Sequence, residues 1–148
     1  MTETQNTKRY DLEDRTLAFA KRIRTFIKKL PRAIHIEEDT RQLVKASGSV
    51  GANYIEANEA LSKKDFVMRI KICRKEAKEC QYWLKLMDTG SRPDVETERE
   101  DLEKEAKELM NIFGSILRKS EWFLSLFRYS NFGICFGFRY SSFGFKIS

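Results

Sequence analysis

The chain has 148 residues, 34% charged and 41% hydrophobic, with 28 basic against 22 acidic side chains and a formal net charge of +6. That length suits one domain with a core able to fold unaided, and no apolar run approaches the roughly 20 residues that a membrane-spanning helix needs. Only two prolines and seven glycines are present, and Gly133, Gly137 and Gly144 cluster near the C-terminus, so long helices are favoured over sheet.

The opening MTETQNTKRYDLED is polar and lacks the apolar region of a secretory signal, so residues 1–10 read as a flexible N-terminus. The first predicted helix covers about Asp11 to Leu30. Leu12, Phe19, Ile23, Phe26 and Leu30 recur at three- and four-residue steps, reinforced by Ala20 and Ile27. Asp11, Glu13 and Asp14 crowd the first turn, which suits the helix dipole, and Pro31 marks the end.

The second helix is expected over about Ile36 to Leu61, with Ile36, Leu43, Val50, Tyr54, Ala57 and Leu61 as its stripe. Its middle, Ala46-Ser-Gly-Ser-Val-Gly-Ala-Asn53, is built of small residues. Each glycine there costs roughly 1 kcal/mol against alanine in a helix. The run is either a kink or a place where a neighbouring helix comes close; close approach is the expectation.

Ser62 with Asp65 three residues on makes a capping box for the third helix, Lys63 to Asp88. Phe66, Ile70, Cys73, Ala77, Cys80, Leu84 and Met87 alternate in steps of four and three, while Lys64, Lys71, Lys78 and Lys85 form a lysine stripe along one side. Gly90 is the expected C-cap, and Pro93 leads into the fourth helix, about Asp94 to Ser120. The stripe of that helix is Val95, Leu102, Ala106, Leu109, Phe113 and Ile116, extended by Met110 and Leu117. Four such helices with short connections predict an all-α, antiparallel up-down-up-down four-helix bundle over residues 11–122.

The segment 123–148 differs. Phe127-Arg-Tyr-Ser-Asn-Phe-Gly133 recurs as Phe138-Arg-Tyr-Ser-Ser-Phe-Gly144, two copies where a solenoid needs about three. With neither a helical nor a strand period, this aromatic tail is expected to be disordered and outside the bundle.

Catalytic chemistry finds no constellation. His35 is the single histidine, and Cys73, Cys80 and Cys135 lack any zinc spacing, so no catalytic, cofactor or metal residues are expected. Cys73 and Cys80, seven residues apart on one helix, would sit roughly 10 Å apart, too far for a disulfide. Reduced core cysteines fit a cytoplasmic chain with no membrane partner.

Charge segregates instead. Residues 1–35 carry nine bases and four acids, 36–62 two and five, 63–89 eight and four, and 90–122 six and nine. The first and third helices are thus basic and the second and fourth acidic. Basic helices placed diagonally either pair with their acidic neighbours or offer a surface for phosphate, made continuous by oligomerisation.

Arg41-Gln-Leu43, the small run Ala46 to Asn53 followed by Tyr-Ile-Glu56-Ala57, Ser62-Lys-Lys-Asp-Phe66, and Ala77 with Glu79 resemble the four-helix-bundle proteins encoded in intervening sequences of bacterial 23S ribosomal RNA genes. The likeness spans roughly residues 12–120; Gly51 and the aromatic tail depart from the pattern. The resemblance implies a ring-forming homo-oligomer, typically a pentamer. It extends to the accessory subunit of diversity-generating retroelements, a basic barrel that contacts reverse transcriptase and nucleic acid. On that resemblance Arg22, Lys29, Lys71, Lys78 and Lys85 are candidate RNA or DNA phosphate contacts, and Ser49, Ala52, Asn53 and Glu56 are candidate packing or assembly residues. The expected function is a non-enzymatic homo-oligomeric module with modest, sequence-nonspecific nucleic-acid affinity; the alternative is a scaffold that binds protein alone.

Overall fold

The computed structural model describes residues 12–129, with side chains placed over 12–120. The N-terminus at 1–10 and the tail beyond 129 lie outside the described residues. Each apolar stripe closes into one helix: α1 (Leu12–Ile27), α2 (Ile34–Asn58), α3 (Lys63–Leu86) and α4 (Pro93–Tyr129). Local chemistry sets their ends. Glu13 and Asp14 occupy the first turn of α1 and Arg24 the last, each matching the helix dipole. Ser62 Oγ accepts the Asp65 N–H at 3.1 Å and caps α3. Pro93 takes the first position of α4, where a missing N–H costs nothing.

Several boundaries differ from the sequence expectation. α1 stops at Ile27, and a tight turn closes over Lys28 to Leu30 through Lys29 N–H to Phe26 O at 2.9 Å. α2 ends at Asn58, so Leu61 falls in the connection and is 100% exposed rather than on the stripe. α3 ends at Leu86, and Gly90 is not its C-cap. Gly90 holds φ +65° in the next turn instead, where its N–H donates to Asp88 Oδ1 at 2.8 Å. α4 runs nine residues past the expected end at Ser120, to Tyr129, so residues 123–129 are helical rather than part of a structureless tail.

The helices pack as an antiparallel square, and cross-contacts at two of the seams show their direction. Between α1 and α4, Arg15 meets Glu105 while Lys29 meets Glu98. Between α2 and α3, Arg69 reaches Asn53 while Cys73 reaches Val50. Partner numbers fall as residue numbers rise, as antiparallel neighbours require. α1 packs on α2 and α4, and α3 packs on α2 and α4, so the basic pair is diagonal. Inside, Phe19, Ile23, Phe26, Leu43, Val50, Ile70, Leu84, Leu102, Leu109 and Phe113 form one buried cluster, with Tyr54 tilted against Phe113 at 5.8 Å. Thr16 and Ser47 join them because each hydroxyl donates within its own helix, to Glu13 O and Val44 O.

The small run of α2 meets α3 through Val50 and Asn53 and α1 through its glycines. A Cβ on Gly51 would stand 3.2 Å from Oγ1 of the fully buried Thr16, whereas one on Gly48 would meet only the far end of the Arg24 side chain at 3.6 Å. Close approach therefore rests on Gly51, and Gly48 carries the ordinary helix penalty. Gly48→Ala is expected to stabilise the bundle by up to about 1 kcal/mol, a rise of about 3 °C in thermal circular dichroism. Gly51→Leu is expected to cost about 1–3 kcal/mol through overpacking.

Cys73 and Cys80 are free and buried. Burial pushes the Cys73 thiol up to about 12 and raises that of Cys80 as well, so neither presents thiolate at neutral pH. Peptide mapping after treatment with a thiol reagent should find both unlabelled in the native protein and labelled in urea.

Candidate nucleic-acid interface

Which cations remain available to a ligand depends on which are already held between helices. Arg15 donates to Glu105 through both Nε (2.7 Å) and Nη2 (2.9 Å) and to Glu108 at 2.5 Å, tying α1 to α4. Lys29, just past α1, pairs with Glu98 of α4. Lys85 of α3 pairs with Glu103 of α4 at 3.3 Å. Arg99 binds Glu96 at 2.6 Å and donates to the Leu84 carbonyl at 3.2 Å, closing the end of α3 against α4. Thr89 Oγ1 adds a bond to Glu96 at 2.9 Å. The Arg99 guanidinium first, and the Thr89 hydroxyl next, hold the Glu96 carboxyl below its ordinary range. Its ionised form thus favours the fold above the usual carboxylate pKa, and that contribution is lost as pH falls through the lowered value.

Of the five cations expected to contact phosphate, Lys29 and Lys85 are therefore held by Glu98 and Glu103. Arg22, Lys71 and Lys78 are exposed and make no ion pair with a described residue. Lys71 and Lys78 share the outward side of α3 with Lys75, which binds Glu79 at 3.3 Å. Over the first half of α3 the surface forms an open groove of about 800 Å³, lined by Val67, Met68 and Ile72 together with Lys64, Lys71 and Lys75. Arg22 lies on α1, diagonally across the square from this face.

The expected packing set converges on a residue that the periodicity does not single out. Arg69 Nη1 donates to Asn53 Oδ1 at 3.2 Å and pairs with Glu56, while Asn53 Nδ2 donates to the Ser49 carbonyl at 2.9 Å. Ser49, Asn53 and Glu56 thus act together across the α2–α3 seam within one chain. Ala52 is exposed and takes no part in that network. Arg15, Arg69 and Arg99 were each legible only as one of many charges; the available clue was that arginine, with its planar fork, suits buried bidentate pairing better than lysine.

The comparisons bear on this arrangement. The model of the 23S rRNA-intervening sequence protein family matches residues 8–115. The chain belongs to that family. The chain is similar to a solved crystal structure from Bacteroides thetaiotaomicron, described as a protein with unknown function from the S23 ribosomal protein family. It is 28% identical, with a TM-score of 0.61, and the alignment covers 72% of this chain and 98% of that one. No curated protein matches. The family match ends at residue 115, so residues 116–120 of α4 and everything beyond them lie outside it. Among the described residues no group of three His, Cys, Asp or Glu side chains is placed to hold a metal, and no helix is long and apolar enough to cross a membrane.

Within this member of the family, Arg69→Ala should strand Asn53 Oδ1 and release Glu56. The expected loss is about 1–2 kcal/mol, read as a lower urea midpoint. A double-mutant cycle with Asn53→Ala should show a coupling of about 0.5–1 kcal/mol.

Proposed function

We propose that this chain is a non-enzymatic, homo-oligomeric four-helix-bundle module that binds nucleic acid modestly and without sequence preference, in a reducing cytoplasm. The observation that carries the reading is the sorting of the cations. Lys29 and Lys85 at the helix seams are paired with carboxylates, while Lys71 and Lys78 on the outward side of α3, and Arg22 on α1, keep their charge free of described carboxylates. A row of uncompensated cations on a rigid helix suits the phosphate backbone, which draws its affinity from released counterions and carries no base readout.

Assembly of several copies, a pentameric ring on the resemblance drawn from the sequence, would repeat this row around a common axis and raise its local charge. Met68, Tyr82 and Leu86 are 47%, 59% and 51% exposed on the same side of α3, apolar surface that assembly would bury. A protein partner such as a reverse transcriptase belongs to the same proposal by analogy alone. The alternative, a scaffold without nucleic-acid affinity, draws its support from Lys29 and Lys85, both committed to pairs inside the bundle.

Binding of a labelled RNA oligonucleotide across a salt series separates the two. Lys71→Ala and Lys78→Ala should each flatten the slope of log K against log salt by about 0.7, with thermal stability unchanged. Lys29→Ala and Lys85→Ala should leave the slope alone and lower the melting temperature slightly. Absence of binding at low salt would leave the scaffold reading. A strictly monomeric mass by light scattering would contradict the ring.

A further inference from the structure

The charge of α4 changes along its length. Residues 94–103 carry six acids and one base, whereas 104–120 carry four bases and two acids. Both of those acids, Glu105 and Glu108, are taken by Arg15 on the α1 side. On the side that meets α3 lies Gly114, which is buried because two arginines cover it. A Cβ placed there would stand 3.5 Å from Nε of Arg74 on α3 and 3.4 Å from Nη1 of Arg118 on α4.

Two guanidinium groups are thus gathered over one point of helix backbone, each exposed to solvent on its other side. Neither makes an ion pair with a described residue, and Arg118 is steadied by donating to Ser115 Oγ at 2.8 Å. Like charges brought together without a counter-ion repel, and an anion seated between them relieves that cost. Lys71 and Lys78 stand three residues before and four residues after Arg74, on the same side of α3, and Lys107 precedes Gly114 by two turns of α4. All three are exposed and make no ion pair with a described residue. The planar fork of a guanidinium meets two phosphate oxygens at once, which an ammonium cannot do. Glycine at 114 fits this use: a Cβ alone would just touch both arginines, and a side chain larger than alanine would push into the space that both forks occupy.

We propose that Arg74 and Arg118, seated over Gly114, form a clamp for one backbone phosphate of a nucleic acid, with Lys71, Lys78 and Lys107 receiving the neighbouring phosphates. The proposal rests on the nucleic-acid reading above and places its contact surface on the α3–α4 seam, away from α1.

The test is fluorescence anisotropy of the full chain with a labelled single-stranded RNA oligonucleotide over a salt series. Arg74→Ala and Arg118→Ala should each weaken binding at low salt by about tenfold and flatten the log–log slope by about 0.7. Arg74→Lys should keep the slope but lose affinity, since charge remains and the fork does not. Gly114→Leu should weaken binding as the arginine losses do. Thermal melts of the two alanine variants should match or exceed the parent, since an unpaired repulsion is removed. Parental affinity in Arg74→Ala and Arg118→Ala, with Lys71→Ala and Lys78→Ala weakened, would refute the clamp and leave the nucleic-acid reading standing. No binding by the parent chain would overturn both. If the arginine variants instead change the oligomeric mass in light scattering, the two side chains serve contacts between subunits and the clamp is refuted.

Discussion

Opposite charge across neighbouring helices is the constraint on which the rest of this bundle depends. With basic helices on one diagonal and acidic helices on the other, every lateral seam brings unlike charges together. Three of the four seams realise this as ion pairs: Arg15 and Lys29 toward α4, Arg69 toward α2, and Lys85 toward α4. The fourth, between α1 and α2, uses close packing instead, with Thr16 set against Gly51. Surface pairs of this kind add only a few tenths of a kcal/mol each, so the apolar core supplies stability. What the charges supply is discrimination, since swapping two neighbouring helices would set like charges side by side.

That same rule leaves a remainder. The acids of α4 are concentrated in its first turns, where they favour the helix dipole and meet the ends of α1 and α3. Further along, α4 turns basic just where it passes the lysine-rich half of α3, and carboxylates no longer balance the cations. The proposed affinity for phosphate rests on that imbalance in one seam, not on the net charge of the chain. This matters because much of the formal surplus of +6 sits in residues 123–148, which carry three bases and no acid.

The helical architecture was plainly written in the sequence, because core positions repeat every three or four residues and few glycines or prolines interrupt them. Phe19, Ile70, Leu84, Leu102 and Phe113 are all buried where their periods put them. Boundaries were less legible. Leu61 continues the stripe of α2 in register, yet the chain has already left the helix at Asn58. Nothing local in Ser120 or Glu121 announces whether α4 stops or continues to Tyr129. The proposed interface was harder still. Counting charge per helix made α4 uniformly acidic and hid its basic second half, and a seven-residue lysine repeat drew attention to Lys85, which Glu103 holds. Arg74 and Arg118 share no sequence spacing, and only packing across the seam brings both over Gly114.

Photo-crosslinking of the intact chain to RNA, with the attached peptides located by mass spectrometry, tests the central claim most directly. Crosslinks are expected in two stretches, 71–82 of α3 and 107–118 of α4, with none in the acidic helix α2. Crosslinks confined to 36–62, or spread evenly over all four helices, would contradict an interface built from cations that the helix seams leave unpaired.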